Sequence, residues 1–154
     1  MVLTTIYFRM HQPFLIHPSR EHFIWEEKNG EILTRIVEES YIPMIEILTD
    51  SIREHSSFKF SLGMSGSLLE QAERYKPELI SKLQELFAVS QEGQIELLDE
   101  TYYNSFAGLF SDPGKREHRE QVSMQRTKIR ELFGIDPVSF RHTERMYNND
   151  IAAI

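Results

Sequence analysis

The 154-residue chain contains no cysteine. Disulfides, thiolate metal sites and a cysteine nucleophile are therefore excluded together, and a reducing compartment is expected. Lysine- and arginine-rich runs are also missing, and the formal net charge is -7. Such a chain gains nothing from a phosphate backbone, so nucleic acid is not an expected partner. No apolar run approaches the roughly 20 residues of a membrane helix. The opening residues MVLTTIYFRMHQP lack the basic start and small-residue cleavage site of a signal peptide. The expected location is cytoplasmic. Aspartate does not occur before Asp50. His11, His17 and His22 lack the close pairing of ligands on one helix face, and HExxH is absent, so no metal or other cofactor is expected. The phosphate loops GxxxxGK[ST] and GxGxxG and the serine elbow GxSxG are missing as well. Among enzymatic readings, elimination leaves carboxylate chemistry.

What is present is ordinary globular material. Hydrophobic residues make up 40% and charged residues 27%, enough for one domain with a sizeable core. Four short runs bounded by turn residues read as strands: Leu3–Met10, Phe58–Met64, Gln94–Leu98 and Val138–Arg141. Helical periodicity covers Glu31–Glu39 and Met44–His55, with Pro43 expected to break or kink the join. Ser67 with Glu70 forms a capping-box pattern ahead of Leu68–Tyr75. Pro77 can open a further helix, and Asp112-Pro113 reads as the start of one ending at Phe133, with Gly134 as its stop. The segment 17–30 reads as a long loop, and residues 148–154 as the start of another helix. Alternating strands and helices predict an α/β fold with about four parallel strands and intervening helices.

In parallel α/β folds, functional side chains collect at the C-terminal ends of the strands. The residues there are His11-Gln12-Pro13, Ser65-Gly66-Ser67, the group Glu96, Asp99, Glu100, Tyr102, Tyr103 and Asn104, and His142-Thr143-Glu144-Arg145. Glu144 is either an acid salt-bridged near Arg141 or Arg145, or a nucleophile or base aimed into a pocket. His11 alone reads as a structural histidine; with Gln12 and Pro13 it also suits sugar hydroxyls. Glu96 either faces solvent through strand alternation or grips a ligand. Tyr102, Tyr103, Trp25, Phe106 and Phe110 can stack on sugars, although packing accounts equally well for the tryptophan and better for the two phenylalanines.

Four segments taken together, MHQP (Met10–Pro13), FSLGMSGSLLEQ (Phe60–Gln71), GQIELLDETYYNSFAGLFSD (Gly93–Asp112) and FRHTERMYNND (Phe140–Asp150), resemble glycoside hydrolase family 57 in order and spacing, particularly its α-amylase-like members. The resemblance covers essentially the whole chain. It implies the N-terminal portion of an incomplete (β/α)7 barrel in residues 1–154, and retaining cleavage or transfer of α-glucan chains. Glu144 then corresponds to the catalytic nucleophile. His11 and Glu96 correspond to substrate-contacting positions, Gln12 is expected to help shape the same subsite, and Tyr103 and Arg145 are further candidates for binding substrate. Asn104 departs from the histidine that often follows the paired tyrosines in this family.

A retaining mechanism needs a second carboxyl group roughly 5–5.5 Å from the nucleophile. The family's acid is an Asp on a later strand, and no such motif follows Glu144 in this sequence. The expectation is a catalytic-domain fragment with half of its machinery, inactive alone on an α-glucan or oligosaccharide. Open sheet edges then predict self-association or a second chain completing the barrel. The alternatives are a vestigial or non-catalytic carbohydrate-binding domain, and a metal-dependent polysaccharide deacetylase, against which the lack of an early Asp argues.

Overall fold

The computed structural model describes residues 4–18, 23–145 and 148–153. Four strands form one sheet in the order β1-β2-β3-β4, every neighbouring pair parallel. They are β1 (Tyr7–Met10), β2 (Phe60–Met64), β3 (Ile95–Asp99) and β4 (Ser139–Phe140). Parallel neighbours in sequence order require crossovers of one hand, which place the connecting helices on a single face. The α/β fold with four parallel strands is as the sequence implied. Strands β2 and β4 are shorter than their runs, β3 is shifted by one residue, and Val138, 91% exposed, lies outside β4. Leu3, the expected start of the first strand, lies outside the described residues.

Alternation along the strands separates two faces. Phe60, Leu62 and Met64 of β2, Leu97 of β3 and Met10 of β1 join Leu33, Leu48, Leu68, Leu69, Leu79, Leu83, Leu86 and Ile129 in one core. The opposite face presents Tyr7 and Arg9, Ser61, Glu96 and Ser139, a polar surface that the helices leave uncovered.

The helices differ from the sequence reading in instructive ways. The first, α1 (Glu26–Ile36), starts inside the segment taken for a loop. Glu26 and Glu27 in its first turn complement the positive end of the helix dipole. Buried Asn29 then fastens the chain ahead of it. Its Oδ1 accepts from the Leu15 amide at 2.7 Å, and its Nδ2 donates to the carbonyls of Leu15 and Trp25 at 3.1 and 2.8 Å. Residues 15–17 and 23–25 pair antiparallel in front of the helix.

Pro43 does not break the chain. A π-helical turn, Val37–Tyr41, leads directly into α2 (Ile42–Glu54), with the Ile42 amide reaching back to the Val37 carbonyl. The wide turn absorbs the misfit, and the proline sits near the start of α2, where its missing donor costs little.

The cap of α3 (Gly66–Tyr75) is Ser65, whose hydroxyl accepts from the Leu68 amide at 3.3 Å. The expected cap, Ser67, instead donates to the Gln12 carbonyl, and Glu70 accepts from the Tyr102 hydroxyl at 3.2 Å. Tertiary partners thus outcompeted the local capping box. Helix α4 (Glu78–Val89) opens at Pro77 as expected.

Helix α5 (Arg116–Phe133) begins later than Asp112-Pro113 suggested, because Lys115 is left-handed with φ 47°. The Asp112 carboxylate still accepts from the Gly114 and Arg116 amides. Gly134, at φ 68°, ends α5 as the sequence indicated. A short helix α6 (Asn149–Ala152), capped by Asn148, follows β4; Ile154 lies outside the described residues.

Candidate functional site

The strand ends bring most of the singled-out residues onto one rim. After β1, the His11 Nδ1 lies 2.7 Å from the Ser65 hydroxyl that follows β2. Gln12 is buried, and its carbonyl accepts from the Ser67 hydroxyl at 3.0 Å and the Gln71 amide at 2.9 Å. Tyr41 closes the turn by donating to the His11 carbonyl at 3.1 Å. His11 is thus oriented by its own backbone and by β2. Burial, with help from Arg9, pushes its pKa below the ordinary value, and Glu144 acts in the opposite direction. That last influence places Glu144 within electrostatic reach of His11.

Glu144 sits in a tight turn after β4, where the Arg145 amide donates to the His142 carbonyl at 3.1 Å. The turn is joined to the end of β3 by the Thr101 and Thr143 hydroxyls, 3.1 Å apart. The Thr101 oxygen also accepts from the Ser105 amide at 3.2 Å. Between those anchors Asn104 adopts φ 60°, in the left-handed region that asparagine tolerates better than most residues. Its Nδ2 donates to Glu144 Oε1 and its Oδ1 accepts from Arg9 Nη2, both at 2.5 Å. Arg9 also contacts the two oxygens of Glu100, at 3.2 and 3.3 Å.

Glu100 was part of the strand-end group but was not singled out, and it is central to the arrangement. Burial pushes its carboxyl pKa up and the Arg9 guanidinium pulls it back. Asp99 is treated alike on the other face of β3: burial raises its pKa, and Arg126 of α5 opposes the shift. The signal for both was the adjacent pair of acids at the end of β3, which alternation must send to opposite faces.

Three singled-out residues stand apart from that cluster. Glu96 lies in the first half of β3, exposed, and accepts from the hydroxyls of Ser61 at 3.3 Å and Ser139. Those partners are on neighbouring strands, so Glu96 bridges three strands on the polar face rather than standing at the rim. Tyr103 is 49% exposed and stacks edge-on against Tyr102, centroids 4.7 Å apart. Tyr102 is the packed member of the pair, seated directly on Gly66. Arg145 is exposed at φ 57° and borders an open cleft of about 870 Å³. The cleft runs along the free side of β4 between α5 and α6, lined also by His118, Val122, Phe140, Arg141 and His142. His118 and His142 stack there in parallel, 5.7 Å apart, and burial lowers both their pKa values. Among the described residues, no group of three histidine or acidic side chains is gathered closely enough to hold a metal ion.

A parallel α/β sheet gathers a carboxylate, an imidazole and amides on its C-terminal rim, where folds of this class carry their functional groups. The family model for glycosyl hydrolase family 57 matches residues 5–154; the chain belongs to that family. A Methanocaldococcus jannaschii relative, provisionally named an alpha-amylase, is 30% identical over 161 residues, spanning 99% of this chain and 33% of that protein. A Pyrococcus horikoshii alpha-amylase is 28% identical over 135 residues, spanning 88% of this chain and 19% of that protein. The solved 4-alpha-glucanotransferase of Thermococcus litoralis superposes with a TM-score of 0.70 at 23% identity, over 97% of this chain and 20% of the other. A family 57 branching enzyme from Thermococcus kodakaraensis gives 0.61 at 15% identity, over 91% and 32%. The chain therefore spans about a third of one curated relative and a fifth of the other. The fold is that of part of the catalytic barrel of these enzymes.

Proposed function

We propose that this chain carries the nucleophile half of a retaining α-glucan hydrolase or glucanotransferase site, with Glu144 as the nucleophile. The observation that carries the reading is the Glu144 carboxylate on the strand-end rim, held by the neutral Asn104 amide. A nucleophilic carboxylate must be ionised, aimed and able to leave its partner for a carbon atom; an amide donor orients it without neutralising it. His11, facing the same space, serves as a sugar-hydroxyl contact in this reading, with Gln12 fixing its turn. Arg145 and Tyr103, which lie outside the hydrogen-bonded cluster, serve in this reading as more distant substrate contacts, while Glu96 shapes the polar face. The general acid that protonates the departing glycosidic oxygen is a carboxyl outside these residues.

A 5-fluoro-α-glycosyl fluoride tests the nucleophile directly, because fluoride departs with little acid assistance. Glu144 Oε attacks the anomeric carbon, the carbon–fluorine bond breaks, and fluoride leaves with the electron pair. The expected result is one glycosyl adduct per chain, mapped by mass spectrometry to Glu144 and absent from Glu144→Gln. Unactivated α-glucan should be cleaved negligibly by the same preparation. An adduct on another carboxylate, or no adduct while the sugar binds, would overturn the assignment of Glu144. Glu144-dependent cleavage of unactivated glucan would overturn the assignment of the acid to residues outside this chain.

A further inference from the structure

Asn104 makes two hydrogen bonds whose polarity leaves no freedom in its orientation. Arg9 can only donate, so it must meet Oδ1; an ionised Glu144 can only accept, so it must meet Nδ2. Arg9 is held in turn by Glu100, which is fully buried just past β3: Nε donates to one carboxylate oxygen at 3.2 Å, and the Nη2 that meets Asn104 also donates to the other at 3.3 Å. The backbone of Asn104 is fixed too, at φ 60° and with its amide donating to the Thr101 carbonyl at 3.4 Å. The result is a connected chain of hydrogen bonds, Glu100–Arg9–Asn104–Glu144, that links a buried carboxylate to the rim.

Resting on the reading of Glu144 as nucleophile, we propose that Asn104 is its positioning residue, coupling the rim carboxylate to the buried Arg9–Glu100 pair. The guanidinium polarises the amide group at Oδ1, which strengthens donation from Nδ2, since hydrogen bonds in a chain reinforce one another. The carboxylate is thereby held in one rotamer without direct contact with a cation. A direct arginine clamp would supply two donors and hold the charge in place. An amide relay transmits the orienting effect and leaves the charge available for attack.

Two variants fit the left-handed backbone at position 104 and so separate chemistry from folding. Asn104→Gly deletes the relay at no steric cost to φ 60°. It should slow labelling of Glu144 by the 5-fluoro-glycosyl fluoride about tenfold to a hundredfold at saturating reagent, the loss of one charge-assisted hydrogen bond, with the half-saturating concentration unchanged. Asn104→Asp keeps the shape but faces Glu144 with an acceptor at high pH. The groups around it are Glu144, Arg9 and Glu100, with His11 across the rim. Protonated, the Asp carboxyl donates as the amide does; ionised, it repels. Labelling in this variant should therefore recover relative to wild type as the pH falls, a change that a merely structural residue would not produce. Unchanged labelling in Asn104→Gly, or an Asn104→Asp profile parallel to wild type, overturns the proposal.

A second readout needs no sugar. In nuclear magnetic resonance spectra the Asn104 side-chain amide should show one proton shifted downfield and protected from solvent exchange. Both features should vanish in Glu144→Ala and weaken in Arg9→Met. If wild-type protein gives no adduct yet shows these features, the relay stands and the nucleophile reading fails. If the amide protons are the same in Glu144→Ala, the relay itself fails.

Discussion

Replacing Arg9 by methionine strands Glu100. The Arg9 and Glu100 side chains are 22% and 1% exposed, and water cannot take over the role of the guanidinium. At 3.2 Å and an effective dielectric constant near 20, the pair attraction is about 5 kcal/mol. Part of that only offsets the desolvation of both charges, so the net loss on removing one partner is expected near ~3–5 kcal/mol. Glu100 has an escape, because burial already favours its protonated form. The penalty of the variant should therefore shrink as the pH is lowered from 8 toward 5, since a neutral carboxyl no longer needs a cation. The double variant Arg9→Met/Glu100→Gln removes the charge altogether and should regain most of the loss. Urea unfolding followed by circular dichroism at both pH values, with the slope m unchanged, gives the comparison. A loss below about 1 kcal/mol at pH 8, or a double variant no better than the single one, would show that the pair is not what keeps Glu100 inside.

Position 66 offers a steric test. A Cβ on Gly66 would lie 2.2 Å from Cδ2 of the buried Tyr102 ring, so Gly66→Ala should cost about 1–3 kcal/mol or displace that ring. Gly134→Ala has nothing within 4 Å and only a positive φ to oppose it, so about 1 kcal/mol is expected; equal costs at the two sites would refute the distinction. Acidification should act through His11, His118 and His142, whose folded pKa values burial holds below 6.5. Their unfolded forms bind protons first, so stability is full above 6.5 and falls as the pH drops from there toward the folded values. Glu100 and Asp99 have the opposite sign: raised above 4.5 and 3.8, they add stability as the pH falls through their folded values. A melting temperature constant from pH 8 to 5.5 would contradict the histidine contribution. Phe106, Leu109 and Phe110 are each at least half exposed, and β4 has a free edge, so sedimentation should reveal self-association or a dye should report the apolar surface; a dye-silent monomer would contradict this.

Much of the architecture was legible because it rests on alternation and periodicity. Phe60, Leu62 and Met64 pointed to one buried strand face, and Leu79, Ile80, Leu83 and Leu86 to one helix stripe, and both are in the core. What was not legible depends on partners remote in sequence. Ser67 and Glu70 satisfied a local capping rule, yet Gln12 and Tyr102 claimed them. Asn29 looked like a loop residue and is instead the bond between α1 and the segment before it. No local pattern announces Gln125, which donates to the Met64 carbonyl from a helix position that periodicity assigns to apolar residues. The rim was foreseen from strand ends alone, because parallel topology fixes where those ends lie. Glu96 escaped that rule because it belongs to the strand's beginning rather than its end.

The same topology explains why one carboxylate of the rim stands out from its neighbours. Asp99, Glu100 and Glu144 all follow strand ends, and position alone does not rank them. Alternation sends Asp99 to the helix side, where Arg126 meets it, and Glu100 to the polar face, where Arg9 meets it. Both are buried against a cation and raised in pKa by that burial, so each serves to hold two elements together and neither is free to attack. Glu144 lies beyond the shortest strand, in a turn whose own backbone is secured by Thr143 and His142. Its side-chain hydrogen-bond partner is an amide, which in turn accepts from Arg9. A carboxylate oriented by a neutral donor keeps its charge for an electrophile, whereas one clamped by arginine has already spent it on structure. On that ground the strand-end acids divide into two structural charges and one nucleophile candidate, and the division rests on the partners that the fold supplies to chemically similar side chains.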